Sequence, residues 1–489
     1  MKRLLGVYCG VLLTLSASIF AHDDLQVRPE TFKSLAQDFL QISNEVFDGQ
    51  IQRQMEVFGR QGVDADLSWN LQLSSSYLDN DLDSSTRVNV SAGKTWTSEL
   101  ALAKPFSWGG QLSFSDGYTR SEKNPAALAL YGGGANPAFE NAQTLTYSQD
   151  FGRNFFGKVF RLKRIMADLS IVQKEIDLEN IKQEALLQLY DIYLHVRLGK
   201  TLVELQEKAL QRAQQRTDFI ARRMRDGLAK RAEYLQAQMA LSQQEEQLRL
   251  EQSALREHLK SLHTIMRRHL SPESFTVLSD VHFRLPIRPS EFPEKNYSYQ
   301  KLMKQLDQAH NRGKMLAQQG WPDLKVSVST KRNDYDAEGT TAFNEGTLSS
   351  ARQEKIISFA LNYPLGNEAN RLDIAKTRLE TAVLVADRDQ LENQLRAEEQ
   401  NFHQQISYTS KNIESSKRRV ALGRDAVEEY NQLYRQGKTS LDAVLRADED
   451  LIAAEKRHND YLVQKKVLLG SLALIYGQSA SFLLTEDDF

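Results

Sequence analysis

Gly227-Leu228-Ala229-Lys230-Arg231-Ala232-Glu233-Tyr234-Leu235-Gln236-Ala237 and Gly437-Lys438-Thr439-Ser440-Leu441-Asp442-Ala443-Val444-Leu445-Arg446-Ala447 follow one plan. The glycines stand 437 − 227 = 210 residues apart, and each has a leucine eight residues and an alanine ten residues beyond it. An apolar stripe precedes each glycine at every seventh place. The first reads Leu189, Val196, Val203, Leu210, Thr217 and Met224, with Thr217 its polar exception. The second reads Ile406, Ile413, Val420, Val427 and Tyr434, and falls on the first when shifted by 210. The chain is therefore built as an internal repeat. A sustained seven-residue stripe means long helices packed side by side. Glycine, which takes positive φ at little cost, marks where each helix turns back. The return helix of the first half has its own heptad, Leu241, Leu248, Leu255 and Leu262. Two long antiparallel hairpins are expected, over 156–270 and 367–476. A helix over 156–226 would be about 100 Å long.

Upstream of each hairpin the period changes to two. From Leu67 to Tyr77 the odd positions read Leu, Trp, Leu, Leu, Ser, Tyr, and the even ones are small and polar. That is a strand with one apolar face. Further strand patterns lie at Arg87–Trp96, Leu100–Lys104, Gln111–Arg120 and Gln143–Phe151. A glycine- and proline-bearing loop is expected over Asn124–Asn141. The second half has strands at Leu324–Thr330 and Ile357–Tyr363 around a polar loop, Asp334–Arg352. Helices precede the strands in both halves, at about Glu30–Gly59 and at Lys301–Gln319. No proline occurs over 138–271 or 365–489, as unbroken helices require. Pro272, Pro286, Pro289 and Pro293 mark a linker. The divisions are a leader, 1–21; a first repeat, 22–271, with strands over 67–151; a linker, 272–296; a second repeat, 297–478, with strands over 324–363; and a tail, 479–489.

Composition narrows the class. Lys and Arg number 62 against 64 Asp and Glu, interspersed along the helices, so a nucleic-acid binder is not indicated. Mean hydropathy is −0.50, and past the N-terminus no apolar run nears the ~20 residues of a spanning helix. Lys2 and Arg3, the apolar run Leu4–Leu15 and the small residues to Ala21 make a secretory leader cut after Ala21. Cys9 lies inside that leader, so the mature chain has neither a disulfide nor a thiol nucleophile. His258, His263 and His269 are five and six residues apart, which does not put a ligand pair on one helix face. No metal, cofactor or catalytic residue is expected, and the chain is not read as an enzyme.

Strands of this length suit a tilted outer-membrane crossing. A few strands in one chain cannot close a barrel, and an open edge in lipid is not allowed, so several chains must share it. The helices are too polar for lipid and must extend into water. Trp69, Trp96, Trp108 and Trp321 all lie in or beside the strand segments, as membrane-interface aromatics would. The helices alone also fit a different class, a non-channel structural coiled coil of the periplasm or surface. Such a protein has no need for long one-faced strands.

This layout resembles the TolC-type outer-membrane efflux proteins from about residue 30 to 478. The resemblance rests on the turns Arg225-Asp226-Gly227-Leu228 and Tyr434-Arg435-Gln436-Gly437-Lys438, with Leu235-Gln236-Ala237 and Leu445-Arg446-Ala447 beyond them. Tyr363-Pro364-Leu365-Gly366 resembles the family's strand-to-helix junction, and Phe151-Gly152-Arg153-Asn154 is its counterpart. It implies an α+β, mainly α fold: a trimer-shared, twelve-stranded transmembrane β-barrel on a periplasmic α-barrel of helical hairpins. It also implies a homotrimer in the cell outer membrane, working with a periplasmic adaptor and an inner-membrane pump of RND or ABC type. The role would be passive conduction in drug efflux or type I secretion. Asp226, Gly227, Leu228, Gln436, Gly437 and Lys438 would be the adaptor-docking tips. Tyr434 and Glu233 would belong to the gate, with Asp442 and Asp448 as further acids and Arg225, Arg231 and Arg446 as partners. A solvated pair of this kind is worth only about 1 kcal/mol. Two departures stand out. The valine common before the family's tip glycine is Asp226 in one turn and Gln436 in the other. The first half also has more strand-like sequence than one hairpin needs, which means either an extra hairpin outside the barrel or a higher strand count.

Overall fold

The computed structural model describes residues 30–80, 93–123, 136–278, 283–345, 353–363 and 365–486. The expected leader, positions 124–135 of the first loop and Pro364 of the junction lie outside the described residues.

Two helices open the described chain, α1 (Phe32–Ile42) and α2 (Asn44–Ala65). One helix was expected here. Ser43 divides it, because its hydroxyl accepts from the Val46 N–H and caps α2. Strands β1 (Asn70–Asn80), β2 (Gly93–Pro105), β3 (Gly110–Lys123) and β4 (Ala138–Asp150) follow. The first hairpin is α3 (Lys158–Arg225) and α4 (Arg231–Met266). The second half has α5 (Tyr297–Gln319), β5 (Asp323–Asp336), α6 (Gly339–Glu345), β6 (Glu354–Asn362), α7 (Glu368–Arg435) and α8 (Leu441–Ile475). The tail, 479–489, contains α9 (Ser479–Glu486), whose Leu483 is fully buried. The loop expected over 334–352 contains α6 and the end of β5. Helices α3 and α7 have 68 residues each. Among the described residues no helix is long and apolar enough to cross a membrane.

The heptad stripes are where the long helices pack. Leu189, Val196 and Thr217 are buried in α3, and Ile406, Val420, Val427 and Tyr434 in α7. The main core lies at mid-length, where α1, α9 and the segment after α4 wrap the long helices. Phe32, Tyr190, Tyr193, Phe275, Leu472 and Tyr476 form its aromatic and aliphatic centre. Phe32 meets Tyr190 edge-on at 4.9 Å between centroids. The Tyr476 hydroxyl donates to Glu399 at 2.8 Å, and Arg288 pairs with the same carboxylate at 2.7 Å.

The six described strands form one antiparallel sheet in chain order, β1-β2-β3-β4-β5-β6. The register sets a two-faced wall. One face aligns Leu71 with Leu102 and Phe114, and Leu73 with Leu100. It continues through Leu112–Tyr147–Val328–Ile357 and Val326–Phe359. The opposite face carries Gln72, Ser74, Ala101, Ser113, Ser115, Thr144, Ser327 and Ser358. The apolar face is open to the surroundings: Leu73 is 75% exposed and Phe359 74%. Toward the end remote from the helices it turns polar at Asp116, Arg120 and Arg332. There α6 lies over it, packed on Tyr118 and Phe139.

Of the strand pattern expected at Arg87–Trp96, positions 87–92 lie outside the described residues. The rest of it, from Gly93, and the pattern expected separately at Leu100–Lys104 belong to a single strand, β2. Alternation lapses at Ser98 because it faces Ser75 of β1, itself the exception in its own strand. The two hydroxyls lie 3.1 Å apart, and the Trp96 indole donates to Ser75 at 2.8 Å. A polar contact within the apolar face thus hides a continuous strand.

Candidate functional site

At the end remote from the sheet the two hairpins turn with the same backbone. Gly227 has φ +71° and Gly437 φ +72°. In the first turn Leu228 N–H donates to Arg223 O at 2.7 Å and Gly227 N–H to Met224 O. In the second Lys438 N–H donates to Leu433 O at 2.9 Å and Gly437 N–H to Tyr434 O. Both are helix ends closed by a left-handed residue, with the last carbonyls satisfied by the backbone. No heavy atom would lie within 4 Å of a side chain added at either glycine. Asp226, Leu228, Gln436 and Lys438 are exposed beside them, Leu228 at 66%. The two turns present open backbone and little else.

Just behind the turns their chemistry diverges. Tyr434, 6% exposed, packs with Ile220, Ala237, Leu441 and Val444. Its hydroxyl donates to Glu233 at 3.2 Å, tying the end of α7 to the start of α4. Burial, and then the Glu233 carboxylate, push the phenol up to about 12. The Arg223 guanidinium lies 5.8 Å from the Tyr434 ring centroid and reaches Leu228 O. Deeper in, Asp448 of α8 is 4% exposed and is held by two arginines of α3, Arg212 at 2.9 Å and Arg216 at 2.8 Å. On the second hairpin Arg424 of α7 pairs with Glu455 of α8 at 2.7 Å. A cavity of about 660 Å³ runs between these pairs, lined by Arg212, Arg216, Phe219, Arg424 and Tyr434.

The structure brings Tyr434 and Glu233 together as a bonded pair. Asp442 and Arg446 meet at 2.9 Å as an exposed pair one helical turn apart. Arg225 and Arg231 are exposed at the first turn. For Asp448 the partners are Arg212 and Arg216, neither of which the sequence reading named. They lie 236 and 232 residues away, and no local pattern connects them. Of the tryptophans, Trp69, Trp108 and Trp321 sit at the helix-facing rim of the sheet and Trp96 toward the other end of β2. All four are exposed, between 46% and 59%. Among the described residues no group of three or more His, Cys, Asp or Glu is placed to hold a metal ion.

No protein-family model and no curated protein matches the chain. Solved structures do. The likeness to CusC, a protein described by its transmembrane channel formation, has a TM-score of 0.68 at 14% identity and covers 94% of this chain and 99% of that one. The outer membrane protein VceC of Vibrio cholerae matches at a TM-score of 0.65 and 15% identity, over 92% and 96% of the two chains. The open MtrE outer membrane channel of Neisseria gonorrhoeae matches at 0.65 and 11%, over 95% and 96%. The chain has the fold of these outer-membrane channels. In that channel fold the sheet and the glycine turns occupy opposite ends of one elongated subunit, joined by the 68-residue helices. The likeness spans nearly the whole length while identity stays near one residue in seven. What persists is thus the course of the backbone rather than particular side chains.

Proposed function

We propose that this chain is an outer-membrane exit duct, conducting solutes passively from a periplasmic adaptor and an inner-membrane pump to the exterior. The observation that carries this reading is the two-faced sheet. Its apolar face crosses all six strands from β1 to β6, its other face is small and polar, and among the described residues its edge strands have no partner within the chain. In lipid such edges must be closed by further strands. Three copies closing one barrel in the outer membrane satisfy that demand, with the apolar face toward lipid and the polar face toward water. Trp69, Trp108 and Trp321 then stand at the periplasmic interface, and Trp96 toward the outer leaflet. The paired hairpins form the periplasmic tunnel, and the 210-residue offset makes each chain a two-fold repeat. The exposed turns Asp226–Leu228 and Gln436–Lys438 dock the adaptor. Tyr434, Glu233, Asp448 and their arginine partners set how tightly the tip closes. Efflux and type I secretion both use such a duct, with cargo chosen by an RND or ABC pump.

The test is electron microscopy of the detergent-purified protein, with conductance in a planar bilayer. A three-fold particle with a membrane disc, a tail of about 100 Å and discrete current steps is expected. A detergent-independent rod without a disc or conductance would replace the duct with a structural coiled coil.

A further inference from the structure

Among the described residues four helices reach the sheet in each chain, α2 into β1, β4 into α3, α5 into β5, and β6 into α7. Those junctions need only four strands. Among the described residues strands β2 and β3 have no helix of their own, yet they sit between β1 and β4 with full ladders on both sides. We infer that the β2–β3 hairpin is part of the transmembrane wall, so that three copies close an eighteen-stranded barrel rather than a twelve-stranded one, β6 of one copy pairing with β1 of a second copy. This rests on the duct reading above.

Three observations carry it. First, the hairpin has the same two faces in register with its neighbours. Leu100, Leu102, Leu112 and Phe114 continue the apolar face, and Ala101, Ser113 and Ser115 the polar one. A hairpin lying in water needs no such face. Second, its turn is built onto the strand-to-helix junction instead of hanging free. A side chain at Gly157 would collide with the Ser107 carbonyl, and one at Gly109 of the turn would collide with the Asn154 carbonyl. Asp150 N–H donates to Gly109 O at 3.2 Å, and the Gln149 amide donates to Trp108 O at 3.0 Å. Phe106 stacks on Trp108 at 4.5 Å, placing a two-ring anchor at this rim. The turn thus takes the support that a helix gives the other strands. Third, parity permits closure. With six alternating strands, β6 runs opposite to β1, so β6 meets β1 of the next copy antiparallel, as barrels of this class require. Barrel diameter grows roughly in proportion to strand number, so eighteen strands give a wall about half again as wide as twelve. Barrels of sixteen to eighteen strands leave an aqueous channel.

The test counts strands in a density map of the detergent-purified full chain and adds cysteine cross-linking. The map is expected to show eighteen strands around the disc. Twelve strands, with 93–123 outside the disc, would overturn the wider barrel while leaving the duct intact. A particle without a disc would overturn both. For the cross-links, single cysteines at Gln72, Ser74 and Ser76 of β1 are each combined with Ser358→Cys of β6. At least one pair is expected to yield a disulfide-linked multimer. Ser74→Cys with Thr144→Cys is expected to give no disulfide, because three strand spacings, about 14 Å, exceed disulfide reach. An efficient intrachain disulfide in that pair would mean β1 lies beside β4 and would discard the proposal.

Discussion

The two halves of the chain have equal helices and unequal sheets. Helices α3 and α7 match at 68 residues, whereas the first half contributes four described strands and the second two. The difference shows which dimension each part fixes. A helix must run from the sheet to the turn, so its length is set by a distance. A strand only has to cross and return, so strands are free to be added two at a time wherever a turn can be anchored. The tips repeat the lesson on a smaller scale. Their backbones agree within a degree of φ at the glycines, while Tyr434 and Asp448 of the second hairpin stand opposite Met224 and Gln238 in the first. Geometry is held in common, and the chemistry is placed on one side.

The largest expected effect tests what the tips share. Proline cannot take a φ near +71° and would also remove the N–H that closes each helix. Gly227→Pro combined with Gly437→Pro is expected to abolish export while fractionation still finds the protein in the outer membrane. Normal export by that variant would show that the turns do not dock the adaptor. Next comes the buried charge that the tips do not share. Asp448→Ala leaves Arg212 and Arg216 facing each other without a counter-charge, at a cost of about 3–5 kcal/mol. Gln238→Ala, at the matching place in the first hairpin, bonds only Tyr234 on an exposed face and should cost at most ~0.5 kcal/mol. Amide hydrogen exchange over α8 and α4 separates the two; equal effects would erase the asymmetry.

A smaller effect is expected at Tyr434. Removing its hydroxyl in Tyr434→Phe should cost about 1 kcal/mol. It should also change the pH response. A phenol held up to about 12 in the folded chain and near 10 when unfolded keeps its proton longer when folded. This contribution is complete below pH 10 and is lost as pH rises toward 12. In Tyr434→Phe that part of the loss should vanish, as alkaline unfolding curves would reveal. The smallest effect belongs to Asp442, whose pair with Arg446 is exposed. Asp442→Ala should cost about 0.3–0.5 kcal/mol, and a loss of several kcal/mol would mean that a neighbouring copy buries this pair.

Much of this was legible in the sequence because it depends on local periodicity. The heptads locate the long helices, Gly227 and Gly437 locate the turns, and α7 begins at Glu368, where the pattern places it. The first strand shows its face through Leu71, Leu73 and Tyr77. What stayed hidden depends on partners distant in the chain. Ser98 reads as a break until Ser75 is seen across from it. Asp448 reads as one acid among several on a polar helix until α3 brings two arginines to it. Helix α9 has only eight residues, too few for its period to stand out, and it owes its place to the pocket that buries Leu483. At the candidate site the sequence locates the turns, but the bond from Tyr434 to Glu233 and the two arginines around Asp448 join residues far apart in the chain and show only once the hairpins are packed.

The shared 68-residue length makes the two long helices a matched pair of gauges. A seven-residue insertion keeps the stripe in phase, yet placed in one helix alone it would push that turn about 10 Å beyond its twin. Such a molecule would keep every local contact rule and still present a slanted face to whatever meets the tips. Changes of reach should therefore arise as coordinated edits, the same number of heptads in both hairpins and in all four of their helices.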